Sequence, residues 1–333
     1  MNHVGETQTI AVIAEYSAGA VRPTTYECVG FAKALQKLRP VNIKMVVLGD
    51  DVESCSRDLA QTTGADVLGI EAPQLSQYNG QVYQAVLYDV FNQKPPEIIC
   101  AAHSSQGWDY GPGLAARLKA ACITGVSQVS ARGKEIYFSR DIYGGKVSAD
   151  IISKTEKTLL TLQPGSFRWN PTRNQEPGLV NIISPAIDPQ ASNTRSTHIH
   201  QASDLDLSLA KVIVSAGRGI GEAENLDLIH KLAAAIPQAV VCGSRPIIDN
   251  GWLSYDRQVG VTGATVSPDL YLACGISGAA QHVSGMQGSA LVVSINTDAM
   301  AAIFNQSDIC IVEDLTVFIP TLLEKLSGAK KAK

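Results

Sequence analysis

A chain of 333 residues, 45% hydrophobic and 17% charged, has the length and apolar content to bury ample core and is expected to form about two domains. Its formal net charge of -4 and pI near 5.9 give no overall field toward nucleic acid or an anionic membrane, so neither is an expected partner. No hydrophobic run approaches the roughly 20 residues that span a bilayer, and the sequence reads as a soluble globular protein rather than an integral membrane protein.

The first residues, MNHVGETQTI, lack the basic-apolar pattern of a secretory signal and the arginine-rich pattern of a transit peptide, which points to a cytoplasmic location. A strand is expected at residues 9–14 (TIAVIA), then a helix at 24–38 with Cys28, Phe31, Ala32 and Leu35 on one face. Strands at 42–48, 66–70 and 97–101 alternate with helices at 52–63 and 80–91, the pattern of a parallel sheet with crossover connections. A helix near 111–120 is followed by short strands at 135–143 and 158–162, expected to run antiparallel at the sheet edge. His103-Ser104-Ser105 follows a strand end, where α/β sheets bind ligands. No G-x-S-x-G elbow surrounds either serine, so a hydrolase is not expected.

The polar, proline-containing stretch 184–203 suits a linker and divides the chain into residues 1–203 and 204–327, with a disordered tail at 328–333. His198 and His200 have no third ligand nearby, and no metal site is expected. The seven cysteines are scattered singly, which supports neither a disulfide framework nor zinc or iron-sulfur sites.

Beyond the linker, residues 211–215 read as a buried strand, and Leu226, Ile229, Leu232, Ala233 and Ile236 form the stripe of a helix. The intervening turn has Gly217, Gly219 and Gly221, but Glu222 stands where a dinucleotide fingerprint requires its last glycine, which argues against a nicotinamide site. Further strands are expected at 239–242, 269–275, 290–295 and 308–312, with Asn296 and Asp314 just past the last two, and a closing helix at 316–326.

The stretch 244–282 concentrates the chemistry. Gly243, Gly251, Gly260, Gly263, Gly275 and Gly278 surround Arg245, Thr262 and His282. A backbone this bare can approach a large flat ligand closely. The turn Gly275-Ile276-Ser277-Gly278-Ala279, opening a helix, presents N–H groups that suit a pyrophosphate. Together these features read as the cradle of a flavin dinucleotide. A reduced flavin collects negative charge along its N1 and C2 carbonyl edge, so a cation or a histidine donor there stabilises the reduced form. Taken singly, each residue also has a structural explanation: a satisfied histidine, an Arg245–Asp249 surface pair, a threonine serving a turn.

The series SAGRG (215–219), SRPIIDNGW (244–252), QVGVTG (258–263), PDLYLACGISGAAQH (268–282), SINTD (294–298) and VEDL (312–315) resembles the alpha subunit of electron transfer flavoprotein in order and spacing. AVIAEY, SSQGWDYGPGLAARL and YFSRDIYGGK extend the likeness more loosely toward the amino terminus. The resemblance implies an α/β fold of two doubly wound parallel-sheet domains, an N-terminal nucleotide-binding-like domain for subunit docking and a C-terminal FAD-binding domain. It implies FAD contacts at Arg218, Ser244, Arg245, Val259, Gly260, Thr262, Ser277, Gly278, Ala279, Gln281, His282, Asn296, Asp314 and Leu315. Thr262 would serve N5, His282 the C2 carbonyl edge and Arg245 the ring, while Asn296 and Asp314 would serve the ribityl and ADP portions. Val261 stands where the family usually has glutamine, so one polar contact near the ring is expected to be missing.

The function implied is that of an electron carrier rather than a substrate-turning enzyme. It would pair with a beta subunit as a heterodimer, accept electrons from an acyl-CoA or other flavin dehydrogenase, and pass them to a quinone-linked or other redox acceptor. The alternatives are the alpha subunit of an electron-bifurcating complex, in which a second FAD in the beta subunit uses NADH, and an adenine-nucleotide-binding α/β protein with no redox role.

Overall fold

The computed structural model describes residues 8–17, 19–143, 147–169, 176–187 and 207–331. The chain divides into two compact units, Met1–Ile199 and His200–Lys333.

The first unit contains, in order, β1 (Gln8–Ala14), β2 (Tyr16–Ser17), β3 (Ala20–Val21), α1 (Pro23–Leu38), β4 (Val41–Gly49), α2 (Glu53–Thr63), β5 (Asp66–Glu71), α3 (Gly80–Gln93), β6 (Ile98–Ala102) and α4 (Ser105–Leu118). Then come β7 (Ala121–Arg132), β8 (Glu135–Ile142), β9 (Val147–Ile151), β10 (Thr158–Leu162) and β11 (Val180–Ile183). All but the small β2–β3 ribbon join one nine-stranded sheet in the order β11-β5-β4-β1-β6-β10-β7-β8-β9. Pairing is parallel except for β7–β8 and β8–β9. The central strands are apolar on both sides because helices cover both faces. Cys28, Phe31 and Leu35 of α1 and Leu59 of α2 pack on one face, and Leu87 of α3 and Leu114 of α4 pack on the other.

The second unit contains β12 (Val212–Ala216), α5 (Leu226–Ala235), β13 (Ala239–Gly243), α6 (Arg245–Asp249), β14 (Leu270–Cys274), α7 (Ala280–Val283), β15 (Val292–Asn296), β16 (Ile309–Val312) and α8 (Leu315–Lys331). Its five strands are all parallel, in the order β13-β12-β14-β15-β16. The chain therefore winds outward in both directions from the β12/β14 pair. One face is closed by Ile229 and Leu232 of α5 and Ile319 of α8. The other is closed mostly by loop residues, Val259, Val266, Met286 and Ile303 among them, with Val283 of α7. Both units are thus α/β with doubly wound, mainly parallel sheets, as expected.

Several local expectations need correction. β10 is not an antiparallel edge strand: it lies inside the sheet, parallel to both β6 and β7, and all five of its residues are buried. β7, β9 and β11 were not anticipated. Helix α4 begins at Ser105 rather than 111, because the Ser104 hydroxyl caps it by accepting from Gly107 N at 3.1 Å. Helix α8 runs through Lys331, so residues 328–331, expected as disordered tail, are helical. Alanine and lysine are good helix formers, and cations suit a helix C-terminus. The boundary at 203/204, most of the linker, and His198 and His200 lie outside the described residues.

In the His103-Ser104-Ser105 loop Ser104 does not pair with His103. Ser104 donates to Glu15. His103 Nδ1 lies 2.6 Å from Thr161 Oγ1 and accepts from Trp108 Nε1 at 2.7 Å.

Candidate functional site

In an open parallel sheet the ligand crevice forms at the carboxyl ends of the strands where the winding direction changes. In the second unit that point lies between β12 and β14. The turns after these two strands meet there: Gly217 N donates to Cys274 O at 2.8 Å and Gly219 N to Gly275 O at 2.8 Å. Gly275 has φ +66, and a Cβ on it would lie 2.7 Å from the Gly219 carbonyl carbon, so no other residue fits without displacing the facing turn.

Above this floor lies a cavity of about 750 Å³, walled by the loops that follow four successive strands of the chain. Its size falls within the roughly 300–1,000 Å³ range of small-molecule and cofactor sites. Arg218 comes from the turn after β12, and Ser244 and Arg245 from the end of β13 and the start of α6. Val259, Gly260 and Thr262 come from the loop before β14. Ser277, Ala279, Gln281 and His282 follow β14, and Asn296 ends β15. Eleven of the fourteen residues implied by the resemblance, those just named, thus line one cavity.

Gly278, Asp314 and Leu315 are not in its wall. Gly278, at φ +88, backs onto Ile303 N. Asp314 caps α8, accepting from Thr316 N at 2.8 Å and Thr316 Oγ1 at 2.7 Å. Leu315 is buried in the core beneath that helix. Sequence reasoning also missed wall residues, chiefly Gln258, Asp298, Met300 and Ala301. Gln258 stood within the QVGVTG motif, whereas Met300 and Ala301 lie beyond SINTD with no signal of their own.

The loop 258–264 is a tight turn closed by Gly263 N to Gly260 O (3.0 Å) and Ala264 N to Gln258 O (2.7 Å). Val261 N binds Gln281 O at 2.8 Å, which ties the loop to α7. Gly260 has φ +140, and a Cβ there would lie 2.7 Å from Gln281 O. Val261 is exposed on this turn and brings no polar group to the cavity. After β14, the N–H groups of residues 276–280 donate to no backbone carbonyl, and Ile276, Ser277 and Ala279 among them line the cavity. Helix α7 itself has only four residues, so these N–H groups rather than a helix dipole are what the turn offers an anion.

Arg245 is exposed and pairs with Asp249 at 3.3 Å, a contact worth about 0–1 kcal/mol and readily exchanged for a ligand. His282 is 6% exposed, and its Nε2 lies 2.9 Å from the hydroxyl of fully buried Tyr271. Nδ1 makes no hydrogen bond. Burial lowers the His282 pKa to about 4, an effect only partly offset by the nearby Val259 backbone. The ring is therefore neutral at pH 7 and acts as a hydrogen-bonding group rather than a cation.

Residues 206–287 match the family described as Electron transfer flavoprotein FAD-binding domain, and residues 10–188 match Electron transfer flavoprotein domain. The chain is 33% identical to electron transfer flavoprotein subunit alpha of Bacillus subtilis (strain 168), over 95% of this chain and 96% of that protein. It is 32% identical to the subunit alpha of Clostridium acetobutylicum, over 96% of each. At 29% identity, over 99% of this chain and 98% of the other, it is also similar to acryloyl-CoA reductase electron transfer subunit beta of Anaerotignum propionicum. FAD is the cofactor of such a domain, and the residues fit it: the free N–H groups of Ile276, Ser277 and Ala279 suit phosphate, and the bare turn at Gly260 with the Thr262 hydroxyl beside it suits a flat ring with hydrogen-bonding edges. Motif order, sheet winding, cavity and full-length similarity together show that the chain belongs to the electron transfer flavoprotein alpha-subunit family.

Proposed function

We propose that this chain holds one FAD in the cavity at the β12/β14 crevice and works in the cytoplasm as an electron carrier, in a heterodimer with a beta subunit. Its electrons come from a flavin dehydrogenase such as an acyl-CoA dehydrogenase and leave to a quinone-linked or other redox acceptor. The observation that carries this reading is the convergence of Arg245, Thr262 and His282 on one cavity that is also lined by free backbone donors of the turn after β14.

Bound FAD supplies the one- and two-electron chemistry, and the chain supplies its electrostatics. Arg245, freed from Asp249, adds a full positive charge. His282 lines the same cavity as a neutral ring, its Nε2 held 2.9 Å from the Tyr271 hydroxyl. Thr262 adds a hydroxyl from the exposed turn. Asn296 is held in place by its own bonds, donating to Ile276 O at 2.9 Å and accepting from Asp298 N at 3.0 Å.

Co-expression with the neighbouring subunit, followed by an absorption spectrum and a flavin count, tests the proposal. One flavin per heterodimer, lost on disrupting the cavity, supports it; a colourless protein after FAD is supplied refutes it. Similarity to a protein named as the electron transfer subunit of a reductase favours, as a second reading, service in a bifurcating complex that draws on NADH through a second FAD in the beta subunit. Two flavins per heterodimer would decide for that reading.

A further inference from the structure

In the cavity wall, Gln258 is a polar residue only 3% exposed, whose backbone is fixed on three sides. Its N–H donates to Tyr255 O at 3.0 Å, its carbonyl accepts from Ala264 N at 2.7 Å, and it forms a bridge to Gly243. From this anchored position Nε2 donates to Thr262 Oγ1 at 2.8 Å. The Thr262 carbonyl is held as well, by the hydroxyl of Tyr255. An exposed threonine on a glycine turn is thus tethered at both of its oxygens by groups of its own loop.

We propose that Gln258 is a positioning residue that fixes the Thr262 hydroxyl as a hydrogen-bond donor toward the cavity; this rests on the reading of the cavity as the flavin site with Thr262 at N5. A hydroxyl has one proton and two lone pairs. Once a lone pair accepts from the Gln258 amide, the proton is directed elsewhere, and the cavity side is where it finds an acceptor. Unprotonated N5 is such an acceptor; a protonated N5 would meet a second donor and leave the hydroxyl proton unplaced. A donor orientation fixed before the ligand arrives is electrostatic preorganisation. Gln258 thereby biases the site toward the unprotonated ring nitrogen without touching it.

The test is the ¹⁵N resonance of N5 in the protein reconstituted with ¹⁵N-labelled oxidised FAD, because a hydrogen bond donated to N5 moves that resonance upfield. The wild type and Thr262→Ser are expected to share the upfield position, and Thr262→Val to lose it. Gln258→Met keeps the side-chain volume and removes the amide; Gln258→Asn keeps polarity and falls one methylene short. Each is expected to move the resonance at least halfway to that of Thr262→Val while retaining FAD, and the second serves if burying a methionine there prevents folding. An N5 resonance unchanged in the Gln258 variants that retain FAD overturns the proposal and indicates an amide facing the other way. Wild-type protein that retains no FAD, or a Thr262→Val resonance equal to wild type, is the separate signature of a wrong flavin reading, and this inference falls with it.

Discussion

Tyr271→Phe removes a single oxygen from the centre of the second unit. Tyr271 is fully buried on β14, and its hydroxyl lies 2.9 Å from Nε2 of His282, itself only 6% exposed. Nδ1 of the same ring already lacks a partner. The substitution keeps the ring packing and leaves Nε2 desolvated and unbonded, which costs about 1–3 kcal/mol. For a unit of this size that corresponds to a fall of roughly 3–10 °C in melting temperature. His282→Leu leaves the tyrosine hydroxyl beside Ser215 and Cys242 and should cost less. Removing both polar groups restores an apolar contact, so the double variant should be more stable than the sum of the singles by about 1 kcal/mol or more. Hydrogen exchange of peptides spanning β14 and α7, measured across a urea series for the four members of the cycle, gives these numbers for the unit itself. Additivity within about 0.5 kcal/mol would refute the reasoning, because it would mean that the two side chains do not depend on each other.

The low His282 pKa fixes the sign of an acid effect. The ring charges near 6.5 when unfolded and near 4 when folded, so the unfolded state binds the extra proton between these values. Stability is therefore intact above pH 6.5, falls as pH drops toward 4 by about 3 kcal/mol in total, and then levels off. Exchange of the second unit at pH 5 should show the loss, and His282→Leu should remove it. Arg245→Ala, which gives up only an exposed pair with Asp249, should leave stability within about 0.5 kcal/mol. It should lower the potential of the first reduction step by an amount on the order of 1–3 kcal/mol, more than His282→Ala does, since a charge rather than a neutral donor is lost; a spectroelectrochemical titration with equal or unchanged potentials would contradict this. Gly260→Ala puts a methyl 2.7 Å from Gln281 O at a backbone φ of +140 and should release FAD while the circular dichroism spectrum stays native.

The alternating αβ rhythm was legible because each strand and helix declares itself over a few residues. β10 shows where that fails. Its five residues, TLLTL, form an unbroken run buried on both faces, the mark of an interior strand, but its place beside β6 and β7 depends on pairing across the whole unit. Helix α4 was hidden at its start by Gly107, Gly111, Pro112 and Gly113, and only the capping role of Ser104 reveals where it begins. The cavity wall was largely readable because glycines and hydroxyls cluster within a few short motifs. The residues that hold that wall in position were not. Tyr271 reads as one more apolar position of a strand, and only the fold brings it to His282. The capping of α8 by Asp314 through Thr316 was likewise not readable from its spacing past β16.

The meeting of the turns after β12 and β14 has a consequence for how the second unit assembles. Those turns touch only once Val212 has paired with Leu270, a long-range parallel register closed after β13 and the whole intervening loop have been threaded, and such non-local pairing comes slowly. The crevice thus exists only once this pairing is made, and a chain that lacks it offers no floor for a nucleotide. Whatever settles into the finished crevice acts as a latch on the strand pair beneath it, and its saturation lowers the opening rate and population of the entire five-stranded layer together.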